Sequence, residues 1–379
     1  MMLQKRTIAD AVNELRQGTD DGRRAAAGMY LAVLPAYRQS CMEILVNTFD
    51  GDLRLFVSDQ HLDPSVKSGV KVPGLRTVRM VRLLGNRAFL QIDHLREALA
   101  LDTLVVDLNP RSLTAWTLLL LRRALNKRTL VWGHLHPRAG SEARTASIRQ
   151  AMRRLATGTI SYTYSDQEQA QLELPGQPVW VATNALYRAD EIHPASSVGA
   201  SERTDVLYVG RFEPAKKVDL VIRAFALAER NNPDLRLRLV GGGSQRQALE
   251  ELAKQLAVVG KVHFEGWVDG VAALANFYAT AVCTVSPGFA GLGLTQSLGF
   301  GVPMVVAKDE PHSPEIELAG TGGVHWVESN SPESMAQGLE TAFLRREQLP
   351  EEDISRLVRQ QYSAETMARG LRDALKDGK

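Results

Sequence analysis

The chain has 379 residues, of which 44% are hydrophobic, 6% aromatic and 23% charged, and 45 basic against 43 acidic side chains give a formal charge of +2. This globular composition excludes a disordered or collagen-like chain, and the length is enough for two or three domains. The charge is unevenly divided. Residues 1–200 hold 25 Lys and Arg against 19 Asp and Glu, so residues 201–379 hold 20 against 24.

Cysteine content and apolar runs bear on the compartment. Cys41 and Cys283 each lie in an apolar stretch and form no CxxC pair, so we expect two buried thiols and a reducing compartment. The longest apolar run, 113–121, is too short to span a bilayer. Residues 1–24 carry scattered charges and no apolar core, unlike a secretory signal. These features predict a cytoplasmic protein.

The first half alternates β-branched runs with helical patterns, which predicts a parallel sheet covered by helices on both faces. The predicted strands are 44–49, 53–57, 103–107, 129–132, 159–162 and 179–181, and the predicted helices are 88–100, 111–126 and 141–156. A loop of small residues, 194–201, then interrupts the alternation.

The alternation restarts after this loop. The predicted strands are 205–209, 235–240, 262–264, 281–285 and 303–306, and the predicted helices are 218–231, 245–258, one after Gly293 and a helical region beyond Pro332. The sequence therefore predicts two doubly wound α/β domains, 1–195 and 196–379, with a last helix that could pack back on the first domain. Ligands of such sheets bind beyond the carboxyl ends of the strands, so two facing domains would place a cleft there.

Two loops with glycines follow predicted strands of the second half. In the first, Gly210 lets a ligand approach the backbone, and Arg211 and Lys216 can converge on a diphosphate. In the second, the glycines 241–243 precede a helix whose N-terminus can face an anion. Ordinary surface charges and an ordinary strand-to-helix turn are the alternatives. The Gly-Lys-Ser/Thr of a P-loop is missing, which disfavours a P-loop NTPase.

A third loop of this kind occupies 286–303, where a strand leads through several glycines into a short helix. The N-terminus of that helix, near Gly291 and Leu292, can face a phosphate. Three glycine loops at strand ends within one domain favour a nucleotide site over an accident of folding.

In their order, these motifs resemble the series found in the family 4 glycosyltransferases. The matching segments are Gly210-Arg211 with Lys216, Val240-Gly-Gly-Gly243, Val262 to Val268, and Gly291-Leu292 followed by Gly301-Val-Pro303. The resemblance covers about residues 203–345 and is weak in the first half. It implies a GT-B fold, with two Rossmann-like domains facing each other across a cleft. The C-terminal domain would bind a nucleotide-diphosphate sugar and the N-terminal domain the acceptor.

The resemblance also implies roles for individual residues. Arg211 and Lys216 would hold the donor diphosphate, and Trp267 and Val268 would line the nucleobase. Further donor contacts would come from Gly210, Gly242, Gly243, Gly291 and Leu292. The reaction would retain the anomeric configuration and require no metal, and the nucleotide sugar is a substrate, so no cofactor is expected.

The chain departs from the family at the Glu-x7-Glu signature, whose two positions fall on Gly288 and Gln296. Gln296 can hydrogen-bond ribose hydroxyls through its amide, whereas Gly288 has no side chain to contact the sugar. Glu310 and Glu315 are candidate replacement carboxylates. Alternatively, residues 313–315 only begin a helix, because a serine N-cap, a proline and an acid favour that role. We interpret the departure as an altered donor contact in an active enzyme.

The first half contributes one candidate catalytic residue. His134 follows strand 129–132, where the family places a histidine that faces the donor sugar, and Trp132-Gly133-His134 carries the likeness. We prefer His134 to His136 for this reason. A structural histidine is the alternative.

Two polar segments of the first half have ordinary interpretations. Asn109 and Pro110 are placed to cap helix 111–126, although Arg111 could face the cleft. Asp50-Gly51-Asp52 has the form of a metal-binding Asp-x-Asp, but Asp-Gly between two short strands indicates a tight turn.

Arginines recur every third residue at Arg76, Arg79 and Arg82, among apolar neighbours. Such a stripe could meet anionic lipid headgroups or the diphosphate of a lipid-linked acceptor. It could equally be the solvated face of a helix or an edge strand. Nucleic acid is a poor partner, because the basic excess is small and aromatic residues do not interleave with it.

The functional hypothesis is transfer of a hexosyl group from a nucleotide-diphosphate sugar to a hydroxyl of a glycan or polyprenyl-linked glycan. This would serve cell-surface polysaccharide synthesis, with the protein cytoplasmic or peripheral on the inner face of the membrane. Two alternatives stay open: a non-catalytic nucleotide-sugar-binding protein, and another GT-B enzyme such as an epimerase or a sugar phosphorylase. The donor base, the sugar and the acceptor do not follow from the sequence.

Overall fold

A computed structural model describes residues 27–62, 67–136 and 146–377. The chain divides into two compact units: unit 1 comprises Met1–Thr183 and Ala364–Lys379, and unit 2 comprises Asn184–Ser363. The expectation about residues 1–24 as a signal lies outside the described residues, as does the start of the helix predicted at 141–156.

Unit 1 is built on a seven-stranded parallel sheet with a separate antiparallel hairpin. Its strands are β1 Ala27–Leu31, β2 Leu53–Val57, β3 Leu75–Thr77, β4 Met80–Leu83, β5 Ala88–Gln91, β6 Thr103–Asp107, β7 Arg128–Trp132, β8 Gly158–Ser161 and β9 Val179–Val181. The sheet order is β3-β2-β1-β6-β7-β8-β9, and β4 pairs with β5. The strand order therefore reverses between β1 and β6.

Helices cover this sheet. They are α1 Gln39–Asn47, α2 Leu95–Ala100, α3 Leu113–Ala124, α4 Ala146–Leu155, α5 Tyr164–Glu173 and the C-terminal helix Ala364–Lys376. The C-terminal helix returns to unit 1 and packs on α1 and β9. Gly370 permits this close approach, since a Cβ at that position would lie 1.9 Å from the carbonyl oxygen of Val181.

Unit 2 is a second doubly wound unit. Its strands are β10 Asp205–Arg211, β11 Arg236–Gly242, β12 Val262–Gly266, β13 Ala281–Ser286, β14 Met304–Ala307 and β15 Val324–Val327. Its helices are α6 Val218–Asn231, α7 Arg246–Gln255, α8 Val271–Ala279, α9 Leu292–Gly299, α10 Pro332–Leu344 and α11 Glu352–Gln361. The strands are all parallel, in the order β12-β11-β10-β13-β14-β15. The prediction of two doubly wound α/β domains is confirmed.

The loop 194–201, which we used to place the domain boundary at 195, lies inside unit 2. Ala195 is buried in the core of this unit, and its N–H donates to the carbonyl oxygen of Phe300 at 2.8 Å. The small residues thus belong to a packed segment, and the two units divide between Thr183 and Asn184.

One predicted strand, 44–49, is wrong, because this segment lies in α1 and the turn after it. Cys41, Met42, Leu45 and Val46 are buried, and their spacing of three to four residues is that of one helix face. The predicted helix 88–100 also needs correction, since β5 occupies its first residues and α2 only its last ones.

Both cysteines are buried and form no disulfide, as expected from the sequence. Burial raises the pKa of the Cys41 and Cys283 thiols to about 12, which leaves both thiols protonated and unreactive at neutral pH. None of the helices in the described part of the chain is long and apolar enough to cross a bilayer.

Candidate functional site

The predicted donor residues of unit 2 lie in loops that follow the carboxyl ends of its strands. We name each loop by the strand before it: the β10 loop (212–217), the β11 loop (243–245), the β12 loop (267–270), the β13 loop (287–291) and the β14 loop (308–313). Because all six strands are parallel, these loops share one edge of the sheet. The strand order reverses between β10 and β13, and such reversals create the ligand-binding crevice of α/β sheets.

The β10 and β13 loops contact each other directly at this crevice. The Lys216 ammonium donates to the carbonyl oxygen of Phe289 at 3.0 Å and lies 4.9 Å from the centre of the Phe289 ring. Arg211 ends β10 and is exposed. Lys216 therefore lies beside the loop that leads into α9, whose N-terminal residue is Leu292 and whose N-cap is Gly291.

Gly288 is enclosed by the same contact. A Cβ at position 288 would lie 2.7 Å from the carbonyl oxygen of Ala215, which real side chains do not tolerate. The glycine at this position thus coincides with backbone packing that leaves no space for a side chain.

The β14 loop is held to the β10 loop by an ion pair. Lys217 adopts a left-handed conformation with φ of 51°, and its ammonium pairs with the carboxylate of Glu310 and donates to Asn330 Oδ1 at 2.9 Å. The Glu310 carboxylate is thus engaged with a lysine of the site. Its proposed contact with the donor sugar stays a prediction.

The glycines after β11 are required by packing of one backbone against another. A Cβ at Gly241, whose φ is 132°, would lie 1.9 Å from the carbonyl oxygen of Gly210. The β11 loop is also tied to Glu213, whose carboxylate accepts hydrogen bonds from the Ser244 hydroxyl at 2.8 Å and the Ser244 N–H at 3.3 Å. These hydrogen bonds lower the pKa of Glu213. The interpretation of these glycines as an ordinary strand-to-helix connection therefore has direct structural support.

Trp267 lies over the same glycines. A Cβ at Gly242 would come within 2.8 Å of the indole Nε1 of Trp267, so the indole rests against the backbone there. The side chain is 64% exposed, an unusual state for tryptophan. Together with Val268, it gives this edge of the sheet an open apolar face.

Glu315 is one of the most deeply buried acids of unit 2. It is 2% exposed, and its Oε1 accepts a hydrogen bond from Asn184 Nδ2 at 2.8 Å. Its Oε2 is buried without a hydrogen-bond partner among the described residues, and so is the Ser313 hydroxyl. Unpartnered buried oxygens are costly, so these two groups mark a place where another polar group could be accommodated.

Sequence reasoning missed His312, which joins the β13 and β14 loops. Its Nδ1 accepts from the Ala290 N–H at 3.1 Å, which leaves the proton on Nε2, and Nε2 donates to the carbonyl oxygen of Ala307 at 2.8 Å. Burial lowers the pKa of His312, so the ring is neutral at pH 7. A histidine within the acidic segment 309–317 was the available signal.

Gln296 faces inward from α9 and is 8% exposed. It lines a narrow cavity within unit 2, together with Tyr187, His193 and Phe300. Its predicted contact with a ribose therefore requires the ligand to reach this cavity, and it stays a prediction.

In unit 1, His134 lies just beyond the carboxyl end of β7. Its ring contacts the edge of Tyr162, with 5.1 Å between ring centres. His136, which we judged the weaker candidate, lies 2.9 Å from the carboxylate of Glu173. His136 thus has a structural partner, while His134 is positioned by an aromatic neighbour.

Sequence reasoning also missed two polar residues near the point where the unit 1 strand order reverses. Asp107, at the end of β6, accepts the Ala32 N–H at 2.5 Å, and burial raises its pKa to about 7. Arg38 is buried, lies 4.5 Å from the Trp132 ring centre and donates to the Tyr162 hydroxyl at 3.2 Å. An acid that ends an apolar strand was a usable signal for Asp107, whereas none pointed to Arg38.

The two polar segments given ordinary interpretations behave differently. Asp50 and Gly51 form the predicted turn, with φ of 50° and 81°, although α1 and not a strand precedes it. The predicted helix cap at Asn109 is wrong. Ser112 caps α3 by accepting the Ala115 N–H at 3.1 Å, because the chain completes a turn at 109–111 before the helix begins.

The arginine stripe belongs to β3, β4 and the connection between them, which excludes the helical alternative. Arg76 pairs with Glu97 at 2.5 Å, and Arg79 pairs with Asp93 at 3.1 Å. Arg82 donates to the carbonyl oxygen of His61 at 3.2 Å.

Solved structures share the architecture of the whole chain. HepE from Anabaena, crystallised with UDP, is 13% identical over 92% of this chain and 98% of its own, with a TM-score of 0.65. Sucrose-phosphate synthase from Thermosynechococcus elongatus is 17% identical over 91% of this chain and 97% of its own, with a TM-score of 0.60. The protein therefore has the two-domain GT-B fold.

Within this fold, residues 190–361 match the model of the family Glycosyl transferases group 1, and the matched residues lie within unit 2. An uncharacterised glycosyltransferase from Methanocaldococcus jannaschii is 31% identical over 40% of this chain and 39% of its own. The GDP-mannose-dependent alpha-(1-6)-phosphatidylinositol monomannoside mannosyltransferase of Mycolicibacterium smegmatis is 32% identical over 33% of this chain and 35% of its own. The chain thus spans less than half the length of these curated relatives.

Proposed function

We propose that the protein is a family 4 glycosyltransferase. It transfers a hexosyl group from a nucleotide-diphosphate sugar to a hydroxyl of a glycan or polyprenyl-linked glycan, in the synthesis of a cell-surface polysaccharide. The observation that carries this proposal is the meeting of the β10 and β13 loops at the point where the strand order of unit 2 reverses. There Lys216 contacts the loop that leads into α9, Arg211 ends the neighbouring strand β10, and both residues fall in the segment that matches the Glycosyl transferases group 1 model.

These groups suit a leaving nucleoside diphosphate. The bond between the anomeric carbon and the β-phosphate oxygen breaks, and the acceptor oxygen forms a new bond to that carbon. The acceptor attacks from the face that the phosphate leaves, so the anomeric configuration is retained. This geometry allows the acceptor proton to pass to the departing phosphate. Arg211, Lys216 and the helix N-terminus would stabilise the growing phosphate charge, and losing one such donor typically lowers the rate by ~100-fold or more.

The nucleobase would lie against Trp267 and Val268, where unit 2 presents an exposed aromatic ring over the backbone at Gly242. Aromatic stacking is sequence-tolerant, so this contact alone does not select the base. HepE was crystallised with UDP, and the mycobacterial relative depends on GDP-mannose. Both nucleotides therefore belong in the test.

The replacement for the family's first glutamate would be Glu315. Its buried, unpartnered Oε2 is an acceptor that lacks a donor among the described residues, and a sugar hydroxyl would supply one. Asn184 holds the other carboxylate oxygen in place. The role of His134 as a contact of the donor sugar or the acceptor stays a prediction.

Nucleotide binding tests the site directly. In calorimetric titrations with UDP, GDP, ADP and dTDP, at least one nucleotide should bind the full chain, and Arg211→Ala should weaken that binding by about tenfold or more, as expected for loss of a charge-assisted contact. Arg223→Ala is the matched control, because Arg223 is exposed on α6 and lies 4.0 Å from Asp219. Equal affinity for Arg211→Ala and the unaltered protein would refute the site assignment.

The absence of a side chain at Gly288 favours a second candidate, a nucleotide-sugar-binding protein without transferase activity. Incubation with radiolabelled nucleotide sugars and a lipid extract distinguishes the two. Transfer of label to an acceptor, lost in Lys216→Ala, supports the enzyme. Tight nucleotide binding without release of the nucleoside diphosphate from every donor tested supports the binding protein.

A further inference from the structure

The hairpin β4–β5 is anchored by one strand and exposed along the other. In β5, the Phe89 N–H donates to the carbonyl oxygen of Arg111 at 2.9 Å, and the Gln91 N–H donates to the Thr114 hydroxyl at 2.7 Å. Both residues are almost completely buried. The outer strand β4 pairs only with β5 within the described residues. The hairpin is therefore a firmly held support for an outward-facing strand.

Its two faces differ in character. Strand alternation places Met80 and Arg82 opposite Gln91 and Phe89. Gln91 and Phe89 are buried on this face, whereas Arg82 is exposed at its edge and donates to the carbonyl oxygen of His61 at 3.2 Å. Val81, Leu83 and Leu90 share the other face with Ala88, so this face is entirely aliphatic. Val81 is 42% exposed there.

The tip of the hairpin carries its most unusual residue. Leu84 is 79% exposed and has a φ of 51°, followed by Gly85 and Asn86 with φ of 60° and 67°. Leucine rarely adopts this left-handed conformation, whereas glycine and asparagine do so readily. Among the eight non-glycine residues with positive φ in the described part of the chain, Leu84 is the one large aliphatic residue. An exposed and strained leucine is a reason to look for a function.

Charge around the tip has one sign. Residues 67–91 contain six cations and no acid: Lys67, Lys71, Arg76, Arg79, Arg82 and Arg87. Arg76 and Arg79 are neutralised by ion pairs with acids of the following segment. Arg82 and Arg87 flank the tip, are exposed, and have no ion pair with any described acid.

We propose that this hairpin docks unit 1 on an anionic phospholipid bilayer. Leu84 and Val81 enter the boundary between headgroups and acyl chains, while Arg82 and Arg87 meet the lipid phosphates. An apolar edge bordered by cations is the chemistry that binds such an interface. This proposal goes beyond glycosyl transfer and does not depend on it, because the hairpin lies in unit 1 and the nucleotide site was assigned to unit 2.

Vesicle co-sedimentation of the purified full chain tests the proposal. We expect binding to vesicles of phosphatidylcholine with phosphatidylglycerol and much weaker binding to phosphatidylcholine alone, with the difference reduced by salt. The double variant Arg82→Gln/Arg87→Gln should lower the partition coefficient about 25-fold, since one basic residue near an anionic surface contributes about 1 kcal/mol, or roughly fivefold. Leu84→Asn should lower it on both kinds of vesicle without altering charge.

The chain offers matched controls. Leu172→Asn removes a leucine that is 74% exposed on α5 of the same unit. Arg123→Gln/Arg154→Gln removes two exposed arginines from α3 and α4. Both control variants should bind vesicles like the unaltered protein. Asparagine accepts the left-handed conformation better than leucine, so Leu84→Asn should unfold at the same or a higher temperature.

Three outcomes would overturn the proposal: no binding of the unaltered protein to anionic vesicles, equal binding by Leu84→Asn, or equal loss in the Leu172→Asn control. Sedimentation velocity without lipid can give a fourth outcome that would overturn the proposal. A dimer that dissociates in Leu84→Asn would assign the hairpin to self-association. Nucleotide titration of the same preparations reports on unit 2 separately, so failure of either proposal is recognised independently of the other.

Discussion

Gly288 shows at the residue scale how the identity of one residue is linked to the packing around it. The carbonyl oxygen of Ala215 occupies the space that a side chain at 288 would need, and Lys216 bonds to the next residue of the β13 loop. Restoring a glutamate there would push the two loops apart. In the proposed function, a carboxylate that contacts the donor sugar must therefore come from another position.

Gly288→Ala should destabilise unit 2 by about 1–3 kcal/mol, the usual cost of overpacking a close contact. Gly293→Ala is the control, because position 293 lies in α9 with open space around a Cβ, and alanine there should be neutral or stabilising by about 0.5–1 kcal/mol. Urea unfolding of both variants measures the difference. Equal unfolding free energies would mean that the loops separate without cost.

Asp107 predicts a pH dependence of stability. Its pKa is raised to about 7 in the folded protein, so the folded state retains a proton that the unfolded chain releases between about pH 4 and pH 7. The stability contribution of this group is therefore greatest at low pH, falls as pH rises from about 4 to about 7, and is constant above that range. Asp107→Asn keeps an acceptor for the Ala32 N–H and removes the titration.

The unaltered protein should lose about 1–3 kcal/mol of unfolding free energy between pH 5 and pH 8 relative to Asp107→Asn. This is less than the full shift implies, because Asp107 is partly exposed and solvent screens its charge. Asp102→Asn, an exposed change just before β6, is the control and should follow the unaltered protein. A parallel pH profile for the unaltered protein and Asp107→Asn would show that Asp107 ionises normally.

Local signals explain which site residues could be predicted. Arg211, Lys216 and the glycines stand next to strand ends in the sequence, so their position at the sheet edge follows from the strand itself. Glu315 was visible only as an acid near a strand. Its hydrogen bond to Asn184 joins residues 131 positions apart, which no local pattern encodes.

At the scale of elements, the apolar β-branched runs of β6 and β13 were predicted correctly as strands. Strand β1 is buried along its whole length but has no β-branched residue, and it was not predicted. The strand prediction for residues 44–49 was wrong because a short apolar run fits the pattern of a buried strand as well as that of the buried face of a helix. The hairpin β4–β5 was missed because the arginine spacing left a helix and an edge strand open, and because residues 88–100 were predicted as a helix. In the structure that spacing spans the end of one strand and the start of the next.

The C-terminal helix illustrates a contact that element prediction can only suggest. Six of its residues are buried, including Met367, Leu371 and Leu375. Its C-terminal end is held by hydrogen bonds from Arg128 to the Leu375 carbonyl oxygen at 3.2 Å and from Lys376 to the Thr48 carbonyl oxygen at 3.1 Å. The sequence predicted a helical region here, whereas its place on unit 1 depends on partners such as Arg128 and Thr48, which lie 247 and 328 positions away.

At the scale of the whole molecule, the structure shows where the unevenly distributed charges lie. The cations of 67–91 account for the basic excess of the first half, and they concentrate on one hairpin and its surroundings. Unit 2 has no such excess, so binding of a diphosphate there must depend on individually placed cations such as Arg211 and Lys216. The excess of basic residues is thus associated with the proposed membrane surface. The proposed nucleotide site depends instead on a few individually placed cations.

The path of the chain predicts that unit 2 can fold without the rest of the protein, whereas unit 1 depends on the C-terminal helix for its stability. Unit 2 is one continuous segment with its own sheet and core, so a fragment of residues 184–363 should unfold cooperatively and bind the same nucleotide as the full chain. Unit 1 needs the C-terminal helix, and a chain ending at Ser363 would expose the surfaces of α1 and β9 that this helix covers.

Burial of the three large side chains of that helix contributes roughly 5 kcal/mol or more, so unit 1 in the truncated chain should unfold at much lower urea concentrations while unit 2 is unchanged. A chain ending at Asp377 is the control and should behave like the full protein. Urea titrations followed by circular dichroism, with nucleotide added to stabilise unit 2 selectively, separate the two transitions. If truncation at 363 left both transitions unchanged, the helix would be dispensable for unit 1. Unit 1 would then be a self-contained fold, and the return of the chain to it would have to be explained by something other than stability.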